Sequence, residues 1–211
     1  MSQENQDIIY RRSEVVIFRK TKEAFGGLSN MAAGFPIEIN GIHIRTSEAL
    51  YQACRFPHSE EIQRIIIEEK SPMAAKMKSK KFRVQTRNDR MEVRVDIMRW
   101  CLKVKLACNW DKFKQLLMAT ENKPIVEESR RDKFWGAIPN GDEILIGQNI
   151  LGRLLMELRE ELKNNDISTL EIVEPPPIEN FVLLNKKIPT IYAKKCENKI
   201  INIPEQLEIF T

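Results

Sequence analysis

SEALYQACRF, Ser47 to Phe56, read as a helix, stacks Glu48, Tyr51, Gln52 and Arg55 along one side in steps of three and four residues. Leu50, Ala53, Cys54 and Phe56 supply the apolar flanks. A solvated helix face seldom needs a tyrosine, so this stripe is either a plain polar surface or the wall of a pocket. The preceding stretch, FPIEINGIHIRT, alternates apolar residues on both sides of Asn40-Gly41, the dipeptide that best fits a two-residue hairpin turn. The hairpin delivers the chain into the helix, with Ser47 as its expected N-cap and Glu48 in its first turn.

Upstream, EVVIFR reads as a first strand and FGGLSNMAAG as a loop with glycines for tight conformations. Downstream, SEEIQRIIIEE is a second helix, and SPMAAKMKSKK a third with Ser71 as cap and Pro72 at its first position. Lys76, Lys78, Lys80, Lys81 and Arg83 follow one another closely, either as solvated charge or as a phosphate-facing edge. In the long helix NDRMEVRVDIMRWCLKVKLACN, the stripe Met91, Val95, Met98, Leu102 runs on into Lys105. That lysine either snorkels to the surface or sits in a dry pocket, where its pKa falls and the amine becomes a nucleophile. WDKFKQLLMAT is a further helix, PIVEES a strand, and RRDKFWGAIPNGDEILIGQN a turn-rich region with a short strand at EILIG. NILGRLLMELREELKNN closes the domain as a helix with Leu151, Leu154, Leu155, Leu158 and Leu162 inward. After Asn165, EPPPIEN reads as a proline-rich linker to a C-terminal extension of short strands able to pack back on the domain.

With 211 residues, 42% of them hydrophobic, the chain suits one main domain. The net charge of +4 permits a phosphate-bearing partner without demanding one. No apolar run approaches the roughly 20 residues of a membrane span, so a soluble cytoplasmic protein with no membrane partner is expected. Cys54, Cys101, Cys108 and Cys196 have no Cys-x-x-Cys spacing and read as free thiols. His43 and His58 are the only two histidines and lie apart, which argues against a histidine-based metal site or triad.

Five stretches in order, FGGLSNM, SEALYQACRF, SPMAAKM, LKVKL and IVEESRRDKFWG…IGQNILGRLLMELR, resemble the NADAR or YbiA-like family across about residues 14 to 162. The resemblance implies an α+β, mainly helical fold: a compact YbiA-like domain at 14–164, with an N-terminal strand and a β-hairpin, plus the extension at 165–211. It also implies an N-glycosidase acting on ribose derivatives. Some members cleave phosphorylated riboflavin-synthesis intermediates; others remove ADP-ribose from guanine in nucleic acid, reversing a toxin. The implied catalytic residues are Glu48, Lys105 and Asp132, with Asn30, Tyr51, Gln52, Trp135, Gly136 and Asn149 as substrate-binding positions. One position departs: Arg90 stands in NDRME where the family usually has tryptophan, which bears on base recognition.

Breaking an N-glycosidic bond builds positive charge on the sugar, which a nearby carboxylate stabilises. A lysine amine can attack the anomeric carbon and pass through an imine that water hydrolyses. Trp135 offers an aromatic face to a base. Each residue also has a plain structural role to fill: Glu48 on the helix dipole, Asp132 paired with Arg130 or Arg131, Trp135 in the core, Asn149 as an N-cap. The concurrence of the five motifs favours the site for Glu48, Asp132 and Trp135, and makes the opening stripe a pocket wall.

Near the C-terminus, Gln206, Leu207, Ile209 and Phe210 resemble the short peptide with which bacterial DNA-acting proteins bind the replication sliding clamp. A closing strand is the alternative. The sequence thus points to ADP-ribosylated DNA, single-stranded or with the guanine flipped out, as substrate, and to an ADP-ribosyltransferase toxin as functional counterpart. The other readings are riboflavin-intermediate cleavage and a silent ADP-ribose-binding or clamp-associated module. No cofactor or metal is required.

Overall fold

The computed structural model describes residues 6–164 and 170–194. At its centre lies α4 (Arg90–Cys108), whose second half, from Ile97 onward, is buried on nearly every side. The helix is enclosed because α1 (Ser47–Ala53), α5 (Trp110–Met118) and α6 (Ile150–Lys163) all pack on it. Its first turns are open: Met91, the expected start of the apolar stripe, is 61% exposed, while Met98, Leu102 and Lys105 are buried. The stripe therefore enters the core only from its middle.

The hairpin forms as the Asn40-Gly41 pair predicts, β3 (Ile37–Ile39) against β4 (Ile42–Ile44), with positive φ of 54° and 75° at the two turn residues. Thr46, and not Ser47, caps α1: its side chain accepts from the Ala49 N–H, and Ser47 is already the first helical residue. Ser59 and Ser71 cap α2 (Glu60–Ile67) and α3 (Pro72–Lys81) in the same way. These two helices pack with α1 and with each other.

The strands belong to small, separate sheets. β1 (Ile8–Arg11) joins β7 (Ile144–Gly147) and β6 (Ile138–Asn140) in an antiparallel three-stranded sheet. β2 (Val16–Phe18) runs parallel to β5 (Ile125–Glu127), with Phe18 opposite Glu127. Helix accounts for 42% and strand for 18%, so the fold is α+β, with strands too short to show in the hydrophobic pattern.

Residues 170–194 are no loose appendage. β8 (Ile172–Val173) pairs with β11 (Ile191–Tyr192) against α4, and β9 (Val182–Leu183) with β10 (Lys186–Lys187). Leu170, Val173, Leu183, Leu184, Ile188 and Ile191 are buried in the same core as the helices. Gln63 of α2, itself buried, donates to the Val182 carbonyl and accepts from the Leu184 N–H. The proline segment read as a linker is anchored where Arg87 donates to the Glu179 carbonyl at 2.8 Å. Among the described residues, no helix is long and apolar enough to cross a membrane.

Candidate active site

The loop before the hairpin is fastened from two directions. The Glu48 N–H donates to the Asn30 carbonyl at 3.0 Å, tying loop to helix. From below, the Lys105 amine donates to the carbonyls of Gly27 and Ser29 at 2.6 and 3.0 Å. That amine lies over the rings of Phe35 and Phe113, 4.7 and 4.4 Å from their centroids, and is fully buried. Burial lowers its pKa to about 7.

Above this loop opens a cavity of about 350 Å³. All four polar residues of the opening stripe, Glu48, Tyr51, Gln52 and Arg55, line it. A chain of hydrogen bonds holds them: Gln52 donates to Glu48 at 2.9 Å and accepts from Arg55 and from Ser79 of α3, at 2.5 and 2.6 Å. Arg55 also reaches Thr86 at 3.2 Å. Lys76 of α3 points its amine to 3.9 Å from the Glu48 carboxylate.

The opposite wall comes from β5 and the loop after it. Asp132 accepts the N–H groups of Phe134 and Trp135 at 3.0 and 2.9 Å, and so shapes the turn that presents Trp135 to the cavity. This is its local partner set, in place of the expected pairing with Arg130 or Arg131. The Trp135 ring meets Tyr51 edge to face, with centroids 5.7 Å apart and planes at 81°. Burial raises the pKa of the Tyr51 hydroxyl, which favours its neutral form. Glu127, at the end of β5, completes this wall. Its pKa is pushed up to about 7, first by burial and then by repulsion from Glu48 and Asp132, with Lys76 opposing.

Cations form the rim. Lys80, Arg83 and Arg90 line the cavity, and among the described residues none of their side chains makes an ion pair or a hydrogen bond. Arg90 occupies the opening of α4, with a buried Nε that has no hydrogen-bond partner among the described residues. Beside it Arg94 lies 3.5 Å over the Phe134 ring.

Of the residues expected from sequence, Asn30, Glu48, Tyr51, Gln52, Asp132 and Trp135 meet at the cavity. Lys105, Gly136 and Asn149 do not line it. Lys105 holds the loop through the Gly27 and Ser29 carbonyls; the lysines lining the cavity are Lys76 and Lys80, of which Lys76 stands beside Glu48. Gly136 packs against β5 so closely that an added Cβ would lie 2.4 Å from the Glu127 carbonyl. Asn149 sits at the N-cap position of α6 with φ of 51° but bonds sideways, accepting from the Glu127 N–H at 3.1 Å and donating to the Ile125 carbonyl at 2.8 Å. Both residues position Glu127. The peptide at 206–210 lies outside the described residues.

Glu127 and the cavity-facing role of Lys76 escaped sequence reasoning. A signal for Glu127 was available: a carboxylate ending an apolar strand, three residues before Arg130-Arg131-Asp132. Lys76 stood among five basic residues, and the steps of four and three that join it to Lys80 and Arg83 on one face were the signal that could have singled it out. Among the described residues, no group of three or more histidine, cysteine, aspartate or glutamate side chains could hold a metal ion.

Residues 17–163 match the model of the NADAR domain. The chain is 35% identical over 151 residues to an N-glycosidase YbiA of Shigella boydii, covering 70% of this chain and 88% of that protein. It is 32% identical over 152 residues to a riboflavin biosynthesis protein of Vibrio vulnificus, covering 71% of this chain and 39% of that one. The NMR structure of Escherichia coli YbiA superposes with a TM-score of 0.60 at 31% identity, covering 74% of this chain and 93% of that one. The motifs around the cavity, the matched span and these likenesses agree: the chain belongs to the NADAR family.

Proposed function

We propose that this protein is an N-glycosidase that cuts the bond between a ribose anomeric carbon and a base nitrogen in ADP-ribosylated guanine of DNA. The observation that carries the reading is the division of charge in the cavity. Glu48, Glu127 and Asp132 stand on its inner walls, where positive charge develops on the sugar. Lys80, Arg83 and Arg90 stand at the rim without partners among the described residues, where the substrate's phosphates would lie. Related proteins named N-glycosidases support the bond type.

The DNA assignment draws on the surface beside the rim. Met73 and Met77 on α3 are about half exposed and Val84 is 86% exposed, interleaved with Lys76, Lys80 and Arg83. Cations for phosphates alternating with apolar groups for bases suit a single strand. The guanine must be unpaired to reach a cavity of this size. In the reaction, the Lys76 amine attacks the anomeric carbon, with Glu48 beside it to take its proton. The base departs, the sugar ring opens to an imine, and water hydrolyses the imine to release ADP-ribose and the free amine. Relatives named riboflavin biosynthesis proteins, in Vibrio vulnificus and maize, support a second reading, cleavage of a phosphorylated riboflavin precursor at the same site.

The test is chromatographic release of ADP-ribose from a guanine-ADP-ribosylated oligonucleotide, run beside the riboflavin intermediates. Lys76→Ala and Lys105→Ala are compared with wild type, and borohydride is added to trap an imine. Release from DNA and a trapped adduct that is absent from Lys76→Ala are expected. Cleavage of the riboflavin intermediates alone would overturn the DNA assignment and leave the bond type standing.

A further inference from the structure

Glu127 stands apart from the other two carboxylates of the cavity in having no side-chain partner among the described residues. Glu48 is engaged by Gln52 and faces Lys76; Asp132 is engaged by two backbone N–H groups. Among the described residues, the Glu127 carboxyl accepts no hydrogen bond and closes no ion pair, although it lines the same cavity. Its backbone is nevertheless held with care: Asn149, buried behind β5, accepts its N–H, and the Glu127 carbonyl accepts from the Ala137 N–H at 2.8 Å over Gly136. A rigidly placed backbone carrying an unengaged carboxyl is wasteful as architecture and useful as chemistry. The adjacent Glu128 makes the contrast plain, since it is spent on Arg12 and Arg19 outside the cavity.

Resting on the N-glycosidase reading, we propose that Glu127 is a further catalytic residue, the acid that gives the leaving nitrogen its proton. As the bond between the anomeric carbon and the nitrogen breaks, the nitrogen takes its electron pair and accepts the carboxyl proton. The base leaves neutral and Glu127 becomes a carboxylate. The water that then hydrolyses the sugar–enzyme bond gives one proton to Glu127 and one to the amine nitrogen, and Glu48 returns to that nitrogen the proton it took, so the sum is glycoside plus water giving sugar and base.

The surroundings suit a group that holds a proton near neutrality. Glu48 from α1 and Asp132 from the following loop repel its charge, Lys76 from α3 attracts it, and burial outweighs the attraction. From α6, behind β5, the neighbour is the neutral Asn149 amide; across the cavity, the cation of α4 is Arg90. The resulting value of about 7 keeps the carboxyl protonated below neutral pH and strips it above.

The experiment measures kcat and KM against pH on the guanine-ADP-ribosylated oligonucleotide and the riboflavin intermediates, for wild type, Glu127→Gln and Glu127→Asp, with thermal melts alongside. Wild-type kcat is expected to fall above about pH 7, and Glu127→Gln to lose about 10²- to 10⁴-fold in kcat, with KM changed only a few-fold and the alkaline limb gone. Glu127→Asp should recover part of the rate. A folded Glu127→Gln protein within about 10-fold of wild type, or one that keeps the limb, overturns the proposal. So does a wild-type profile without the limb, which reads out even if the Gln variant fails to fold. If wild type releases no base from either substrate, the N-glycosidase reading itself has failed, and the proposal with it.

Discussion

Deleting the amine of Lys105 and deleting that of Lys76 should harm the protein in different ways. Lys105→Met strands the buried carbonyls of Gly27 and Ser29, at about 1–3 kcal/mol for each unsatisfied group, offset in part by the apolar replacement. The charge adds a pH signature. An unfolded lysine keeps its ordinary 10.5 while the folded one sits at about 7, so between these values the unfolded chain binds the extra proton. Lys105 thus makes stability rise with pH across that window and fall as pH drops toward 7. Urea midpoints at pH 7.5 and 9.5 should differ more in wild type than in Lys105→Met; equal differences would contradict the buried placement. Lys76→Met, at a half-exposed position, should melt like wild type and lose its turnover.

Among the elements, α1 allows a clean comparison. Thr46→Ala removes the side chain that caps the helix and should cost about 1 kcal/mol, whereas Ser47→Ala, whose hydroxyl has no partner among the described residues, should be near neutral in denaturant titration. Equal effects would return the cap to Ser47. The sequence placed the cap within one residue because two adjacent hydroxyls offer the same chemistry, and only the backbone angles choose between them. It located α1 to α6 and the hairpin well, since helical periodicity and Asn40-Gly41 are local signals. β1 escaped notice, as did the parallel pairing of β2 with β5, because strands of three or four residues carry little pattern and pairing across a hundred positions leaves none. For the same reason the stripe of α1 announced its half of the cavity, while Glu127, delivered by that parallel pair, did not announce the other half.

Taken whole, the molecule makes its C-terminal segment part of the core. A chain ending at residue 164 would lose the buried Leu183, Leu184, Ile188 and Ile191, uncover the helix core they cover, and strip the Phe181 ring from Trp100, which it now meets at 4.9 Å. Such a truncation should lose its cooperative thermal transition or precipitate, and a sharp melt near that of the full chain would show the segment to be dispensable. Its last described residues also run along the outside of α4, where the Lys194 N–H bonds the Ala107 carbonyl near the helix's C-terminal end. The cavity lies at the other end, beside Arg90. Seventeen residues of helix separate the two, roughly 25 Å at 1.5 Å per residue. Residue 194, the last one described, thus sits about 25 Å from the mouth of the cavity, so a partner held at that point of the surface would keep the protein near its substrate and raise the local concentration while leaving the mouth free.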